Sequence, residues 1–214
     1  MLETELQHKI LMHLDLNAFF AAVEEREHPE HAGKPIVVGS DPKAGAGRGV
    51  VATANYEARK YGIKSAMPIS RAYRACPSAV FLPVNYRLYT QVSAKVMALL
   101  RRFVENIEQV SIDEAYLDVS HVQTYDAAEQ LAKEIKQALW EQERLKCSVG
   151  IGPNKLIAKA GSDFQKPDGL TVVPPEKVLD FLAPQDVSVL RGVGVKTKEI
   201  LHQQGLKTVD DVRK

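Results

Sequence analysis

The segment Ser111-Ile112-Asp113-Glu114-Ala115-Tyr116-Leu117-Asp118 places two adjacent carboxylates between two short runs of alternating apolar and polar side chains. We interpret it as a β-hairpin whose two-residue turn is Asp113-Glu114. Glutamate is a poor residue for such a turn, and a local rule broken inside a well-patterned segment indicates a functional site. Two carboxylates this close repel each other, so the turn predicts a bound cation. The cross-strand pairs expected in this register are Ile112 with Ala115, Ser111 with Tyr116, and Val110 with Leu117.

A third carboxylate ends another predicted strand. Side chains alternate in polarity from Lys9 to Asp15, which predicts a strand with Asp15 at its carboxyl end. Asn17 is expected to cap the following helix, and Pro29 is expected to stop it. We interpret His13 as a packed strand residue, because no second histidine lies at metal-ligand spacing.

The remaining pattern predicts an α+β fold. When residues 33–83 are left out, the order is strand, helix, hairpin, helix, strand, which is the ferredoxin-like βαββαβ plan. Pro174-Pro175 marks a boundary before a small helical module. Further marks are Asn85 and Asn154 as helix caps, Asp126 with Glu129 as a variant of the capping box, and a strand through Cys147, Val149 and Ile151.

Residues 33–83 interrupt this plan with short strands, a loop and short helices. The loop at residues 41–47 is rich in glycine but lacks the Gly-Lys-Ser/Thr ending of a P-loop, and we assign it no role. Asn55 is expected to open a helix on which Tyr56 and Arg59, three residues apart, share a face. A hydroxyl beside a guanidinium suits a triphosphate, and an ordinary solvated helix face is the alternative.

Residues 190–197 predict an anion site near the end of the chain. Gly192 and Gly194 form a turn that exposes backbone amides at a helix N-terminus, with Lys196 and Lys198 nearby. Because an ordinary helical connection has the same pattern, both interpretations stay open.

Composition sets broad limits. The chain has 214 residues, of which 45% are hydrophobic, so it can bury a sizeable core, and its net charge of +1 neither requires nor excludes a polyanionic partner. Cys76 and Cys147 lack metal-ligand spacing and indicate structural free thiols in a reducing compartment. Without a secretory apolar segment or an apolar run of about 18 residues, the chain is expected to be cytoplasmic.

Five motifs follow one another along the chain. They are residues 13–24 (His-Leu-Asp-Leu-Asn-Ala-Phe-Phe-Ala-Ala-Val-Glu), residues 48–59 (Arg-Gly-Val-Val-Ala-Thr-Ala-Asn-Tyr-Glu-Ala-Arg), residues 111–118, residues 154–169 from Asn-Lys to Lys-Pro-Asp-Gly, and the Gly-Val-Gly of residues 192–194. In this order they resemble the Y-family, or translesion, DNA polymerases of the DinB (DNA polymerase IV) branch. One such motif alone would not be specific, whereas five in the family's order are.

The resemblance implies a division of the chain into three parts. The palm would comprise residues 1–32 and 84–174, with small fingers inserted at residues 33–83, and a helical thumb at residues 175–214 would contain a helix-hairpin-helix. The family's additional DNA-gripping domain is missing from the chain, so we expect a catalytic fragment with an incomplete thumb.

The resemblance also implies roles for individual residues. Asp15, Asp113 and Glu114, with the backbone carbonyl of Leu16, would bind two Mg²⁺ ions, and these are the hard oxygen ligands that Mg²⁺ prefers. Residues implied in other roles are Thr53, Tyr56, Arg59 and Lys166 on the nucleotide triphosphate, Phe20 as a steric gate against ribonucleotides, Ala52 and Ala66 as the roof over the nascent base pair, and Gly192, Gly194 and Lys196 on DNA phosphate.

The implied activity is error-prone, lesion-bypassing DNA synthesis, in which deoxynucleotides are added to a primer 3′-hydroxyl on a template. Primer-template DNA and deoxynucleoside triphosphates would be the partners of an expected monomer, and a sliding clamp would be contacted through a region outside this chain. Two alternatives stay open: a nucleotidyl cyclase, which uses a similar palm without a template, and a DNA-binding module that acts through the helix-hairpin-helix.

Overall fold

The computed structural model describes residues 9–214, so the first eight residues of the predicted palm lie outside the described range. The strands are β1 Leu11–Leu16, β2 Ile36–Gly39, β3 Val51–Ala54, β4 Val80–Leu82, β5 Ile107–Gln109, β6 Glu114–Asp118, β7 Cys147–Gly152 and β8 Leu170–Val172. The α-helices are α1 Phe19–Glu27, α2 Tyr56–Arg59, α3 Ile69–Ala75, α4 Tyr86–Leu100, α5 Tyr125–Glu143, α6 Lys155–Phe164, α7 Val178–Leu182, α8 Val195–Gln203 and α9 Val209–Arg213. None of the described helices is long and apolar enough to cross a membrane.

These elements form two compact units, which are described separately below. The first unit contains residues 9–15 together with Leu100–Lys136 and Cys147–Lys214, and the second contains Leu16–Leu99 and Gln137–Lys146. The predicted boundaries of palm, fingers and thumb stay predictions.

A five-stranded sheet in the order β5-β6-β1-β7-β8 organises the first unit. β6 is antiparallel to both β1 and β5, and the order β5-β6-β1-β7 is that of the predicted ferredoxin-like plan. β8 adds a fifth strand, parallel to β7. The predicted α+β class is therefore confirmed.

The hairpin is present, but the predicted two-residue turn is wrong. Leu117 faces Ile107 instead of Val110, and the N–H of Val110 donates to the carbonyl of Glu114 at 3.0 Å. Residues 111–113 therefore form the loop, and Glu114 begins β6. A two-residue turn needs residues that readily adopt positive φ, which Asp-Glu does not supply, and a longer loop avoids that requirement. The other two predicted pairs are replaced by Glu108 with Tyr116 and Gln109 with Ala115.

Two of the predicted helix caps are also wrong. The N-cap of α1 is Ala18, in the left-handed region at φ 47°, and no side chain caps this helix. The N–H of Asn17 instead donates to the carbonyl of Lys146 at 2.9 Å, which ties Asn17 to the segment after α5. At the start of α5, Thr124 accepts a hydrogen bond from the N–H of Ala127 at 3.2 Å, so the cap lies before the predicted Asp126 box.

The contact of β7 with α6 is very close in the first unit. A Cβ at Gly150 would collide with the carbonyl oxygen of Ala158 and with the backbone of Gly161 and Ser162. As predicted, the side chain of Asn154 caps α6 by accepting a hydrogen bond from the N–H of Ile157 at 3.0 Å. The glycine lets the helix lie directly against the strand, and this places residues of α6 beside the end of β1.

The second unit contains a three-stranded sheet in the order β3-β2-β4. Its core includes Val37, Val51, Ile63, Ile69 and Cys76, all buried. Cys147 in the first unit is also buried, and both thiols are free, as predicted. The buried residues of α4 include Tyr89, Val92, Val96 and Leu99, which lie three or four positions apart and so form one face of the helix.

Candidate active site

The backbone register brings two predicted site carboxylates together in the first unit. Asp15, the penultimate residue of β1, and Glu114, the first residue of β6, are direct partners in the antiparallel pair. Asp15 is buried, whereas Glu114 is partly exposed. Because directly opposed residues lie about 5 Å apart at their Cβ atoms, the two side chains form one acidic pair.

Two lysine ammonium groups lie against this acidic pair. The Nζ atom of Lys166 is 2.6 Å from Oδ2 of Asp15, and that of Lys159 is 2.8 Å from Oε1 of Glu114 and 3.5 Å from Oδ2 of Asp15. Asp163, on the same helix as Lys159, is 2.7 Å from Lys166 and 3.6 Å from Lys159. Helix α6 and the residues just after it therefore supply the positive charge that the acidic pair requires.

The two carboxyl groups of the pair have opposite pKa shifts. Burial raises the pKa of Asp15, and its hydrogen bond with Glu114 adds to the rise, although Lys166 and Lys159 act against it. The pKa of Glu114 is lowered well below its usual range, chiefly by the contact with His13 and then by Lys159. Burial alone would lower the pKa of both lysines, but the carboxylates outweigh it and raise both values. Asp15 is therefore the carboxyl group of the pair that is protonated more easily.

The third predicted carboxylate has a different environment. Asp113 lies in the hairpin loop, where its Oδ1 accepts a hydrogen bond from Oγ of Ser111 at 2.7 Å. Across residues 9–214, no three His, Cys, Asp or Glu side chains are clustered closely enough to hold a metal ion. The structure therefore brings Asp15 and Glu114 together, whereas Asp113 is next to this pair only in the sequence.

The donor chemistry of these residues nevertheless fits a divalent cation. Carboxylate and backbone carbonyl oxygens are the ligands that Mg²⁺ prefers. The ammonium group of Lys159 contacts both Asp15 and Glu114, so the two carboxylates can hold a single cation between them. Asp113 and the carbonyl of Leu16, the residue after Asp15, are the further oxygen donors that the sequence places next to this pair.

The predicted triphosphate residues of the second unit lie on β3 and α2. Thr53 lies opposite Val38 in the sheet, and the side chain of Asn55 caps α2 as predicted. The guanidinium of Arg59 lies 4.5 Å from the ring centroid of Tyr56, and its Nε donates to the carbonyl of Ala54 at 3.0 Å. The predicted shared face of Tyr56 and Arg59 is therefore confirmed. The predicted roof residues are Ala52, in β3, and Ala66, at φ 65°.

The predicted gate residue of the second unit belongs to an aromatic cluster. The ring of Phe20 is stacked on Tyr89 at a centroid distance of 4.3 Å and meets Tyr86 edge-on at 5.9 Å. The hydroxyl of Tyr89 donates to Oε1 of Glu24 at 2.5 Å, and both residues are buried. Burial, together with this hydrogen bond, raises the pKa of Tyr89. Tyr89, whose hydroxyl is held by Glu24, therefore supports the orientation of the Phe20 ring.

The predicted anion site lies at the start of α8. Gly192 has φ 93°, and Gly194 is the N-cap of the helix. Lys196 is exposed, whereas Lys198 forms an ion pair with Asp186 at 2.9 Å. Gly205 follows the helix at φ 83°, the left-handed conformation that glycine commonly adopts just after a helix end.

Three residues at the acidic pair were missed by the sequence interpretation. His13 was expected only to pack, yet its Nε2 atom is 3.5 Å from Oε2 of Glu114. Lys159 and Asp163 were assigned no role. The spacing of Lys159, Asp163 and Lys166, four and three residues apart, was a signal for one helix face that could have indicated them.

Comparison with known proteins assigns a class to this arrangement. A family model described as the impB/mucB/samB family matches residues 14–163. The sequence is 56% identical over 207 residues to DNA polymerase IV 2 of Methanosarcina mazei, which covers 96% of this chain and 56% of that relative. The crystal structure of DinB from Sulfolobus solfataricus has a TM-score of 0.89 at 41% identity. This match covers 95% of the present chain and 60% of the DinB chain. The insertion ternary complex of Dbh DNA polymerase has a TM-score of 0.88 at 40% identity, with the same shares covered.

The fold and the acidic pair therefore define a protein with the palm and fingers of the Y-family, as the motifs predicted. The chain belongs to the impB/mucB/samB family. It spans about three fifths of the length of the relatives that it matches.

Proposed function

We propose that this chain carries the catalytic site of an error-prone, lesion-bypassing DNA polymerase that uses Mg²⁺, deoxynucleoside triphosphates and primer-template DNA. The observation that carries the proposal is the pairing of Asp15 with Glu114 under two lysine ammonium groups, in a fold shared with DinB. Two Mg²⁺ ions held by Asp15, Asp113, Glu114 and the carbonyl of Leu16 would lower the pKa of the primer hydroxyl and neutralise charge on the leaving pyrophosphate.

The protein residues would act by positioning and by charge. Lys166 offers an ammonium group to the triphosphate, and we assign Thr53, Tyr56 and Arg59 to the same ligand. Cations and hydroxyl donors placed there offset the negative charge that develops on the leaving group. Phe20 would exclude a ribose 2′-hydroxyl by steric conflict, while the small side chains of Ala52 and Ala66 would leave room over the template base.

The remaining assignments concern DNA. Gly192, Gly194 and Lys196 would contact a backbone phosphate through amides at a helix N-terminus and an exposed ammonium. Because phosphate contacts dominate affinity for DNA and this set offers one exposed ammonium group, we expect weak DNA binding and distributive synthesis. We further propose that it acts as a monomer and that a sliding clamp is one of its partners.

Primer extension tests this function directly. Wild-type protein should extend a primer at low salt, and Asp113→Ala should abolish extension while DNA binding survives. Asp118→Asn is the matched control, because Asp118 is a carboxylate of the same hairpin that accepts hydrogen bonds from Ser120. Extension by Asp113→Ala at the wild-type rate would refute the assignment. Pyrophosphate release without DNA would point to a cyclase, and long products with trapped enzyme would contradict distributive synthesis.

A further inference from the structure

His13 is a buried histidine on the same strand face as Asp15. The two residues are two apart in β1, so their side chains point the same way, and the direct partner of His13 across the sheet is Tyr116. The His13 ring is fully buried and lies 4.6 Å from the Tyr116 ring. It therefore lies one step along the sheet from the acidic pair.

The Nδ1 atom of His13 has a buried hydroxyl group as its partner. Nδ1 is 2.7 Å from Oγ of Ser162, a residue that is itself 1% exposed. The same Oγ atom lies 2.8 Å from the carbonyl oxygen of Lys159, so Ser162 joins the ring to the backbone of α6. A hydroxyl both donates and accepts, so Ser162 can hold Nδ1 while Nε2 presents its hydrogen to Glu114.

The Nε2 atom of His13 points at the carboxylate of Glu114. It is buried and has no hydrogen bond, and it lies 3.5 Å from Oε2 of Glu114. Buried polar atoms nearly always have a partner, and here the nearest candidate is a site carboxylate. A shift of a few tenths of an ångström would complete the bond.

These contacts form a closed circuit around Glu114. Lys159 binds Oε1 of the carboxylate, His13 faces Oε2, and Ser162 joins the ring of His13 to the backbone of Lys159. Because each carboxylate oxygen has its own partner, the plane of the carboxylate is fixed as well as its position.

We propose that His13 is a positioning residue that orients the carboxylate of Glu114 through Nε2–H, and that Ser162 fixes the ring for this task. The inference rests on the proposed function, in which Glu114 is a ligand of the divalent cation. The contact at Nδ1 fixes the rotation of the ring, so Nε2 stays directed at the carboxylate of Glu114.

Two amide variants separate the two nitrogens of the ring. In His13→Gln the side-chain amide can place a donor where Nε2 lies, whereas in His13→Asn the shorter amide can replace only Nδ1. We expect His13→Asn to weaken Mn²⁺ binding to the DNA-free protein about 10-fold or more, measured by electron paramagnetic resonance, and His13→Gln to stay within about 3-fold of wild type. The half-saturating Mg²⁺ concentration in primer extension should change in the same order.

The outcomes distinguish this inference from the proposed function. Equal Mn²⁺ affinity for both amide variants, or an affinity loss that follows the loss in Tm, would overturn the positioning role. If wild type itself bound no Mn²⁺ and extended no primer, the proposed function would fail. Nitrogen NMR of His13 in the metal-free protein depends on neither Mn²⁺ binding nor primer extension. It should show a hydrogen on Nε2, with the Nδ1 signal altered in Ser162→Ala, and an Nε2 without hydrogen would overturn the inference even if the histidine variants failed to fold.

Discussion

Asp15 and Glu114 face each other across β1 and β6 and share the ammonium group of Lys159, which lies 3.5 Å from one carboxylate and 2.8 Å from the other. Their pKa values nevertheless shift in opposite directions, because burial dominates at Asp15 and the contacts with His13 and Lys159 dominate at Glu114. The pair therefore holds one firm negative charge at Glu114 and one charge at Asp15 that is more easily neutralised.

The acidic pair should give a distinct pH dependence to stability in EDTA. The pKa of Glu114 is lowered on folding, so its ionised form stabilises the protein above the unfolded value of about 4.3, and this contribution is lost as the pH falls toward the folded pKa. Glu114→Gln should cost about 1–2 kcal/mol at pH 7 and progressively less below pH ~4, as measured by urea unfolding.

Asp15→Asn is the control for this pH series. The pKa of Asp15 is raised on folding, so its ionisation opposes folding at neutral pH, and the variant should lose less stability than Glu114→Gln or gain some. A deficit of Glu114→Gln that stays constant from pH 3.5 to 7.5 would contradict the proposed charge on Glu114.

Lys159 should compete with divalent cations for the acidic pair. Lys159→Met leaves the carboxylates with less positive charge, so the metal-free protein should lose about 1–2 kcal/mol in unfolding free energy. Added Mg²⁺ should restore part of this loss and raise Tm more in the variant than in wild type. Lys155→Met is the matched control, because Lys155 pairs with the exposed Glu108. An equal Mg²⁺ effect on Tm in all three proteins would rule out the competition.

Phe20 should control sugar selection separately from stability. Phe20→Ala should raise ribonucleotide incorporation about 10-fold or more, because the ring that would meet the 2′-hydroxyl is gone. Tyr89→Phe keeps the stacked ring but removes the hydroxyl that Glu24 accepts from, so it should cost about 1–3 kcal/mol without changing sugar selection. Unchanged selection in Phe20→Ala, measured by single-nucleotide insertion, would assign Phe20 to packing alone.

Gly150 should be essential for the placement of α6. Gly150→Ala would force the helix away from β7, because the new methyl group meets the backbone of Ala158, Gly161 and Ser162, at a cost of about 1–3 kcal/mol or more. Gly194→Ala is the control, since nothing lies within 4 Å of a Cβ at Gly194. Thermal unfolding measures the stability of both variants. A Gly150→Ala variant as stable as wild type would contradict the need for a glycine at the contact of α6 with β7.

Much of the fold and part of the site could be predicted from local sequence. Residues within four positions determine features such as the Asn55 and Asn154 caps and the shared face of Tyr56 and Arg59. The strand that ends near Asp15 is equally local, because alternation over a few residues is enough to indicate it. The five motifs together identified the family, which the periodicity of a single segment could not do.

Tertiary structure alone decided how the acidic pair is held. The hairpin register depended on the loop that the backbone could close, and the cap of α1 on a hydrogen bond from Asn17 to Lys146. His13 and Ser162 are 149 residues apart, and Lys159 and Asp15 are 144 apart. Such pairs meet only because β6 pairs with β1 and α6 packs on β7, the strand next to β1 in the sheet. Side-chain periodicity contains no information about which distant elements become neighbours.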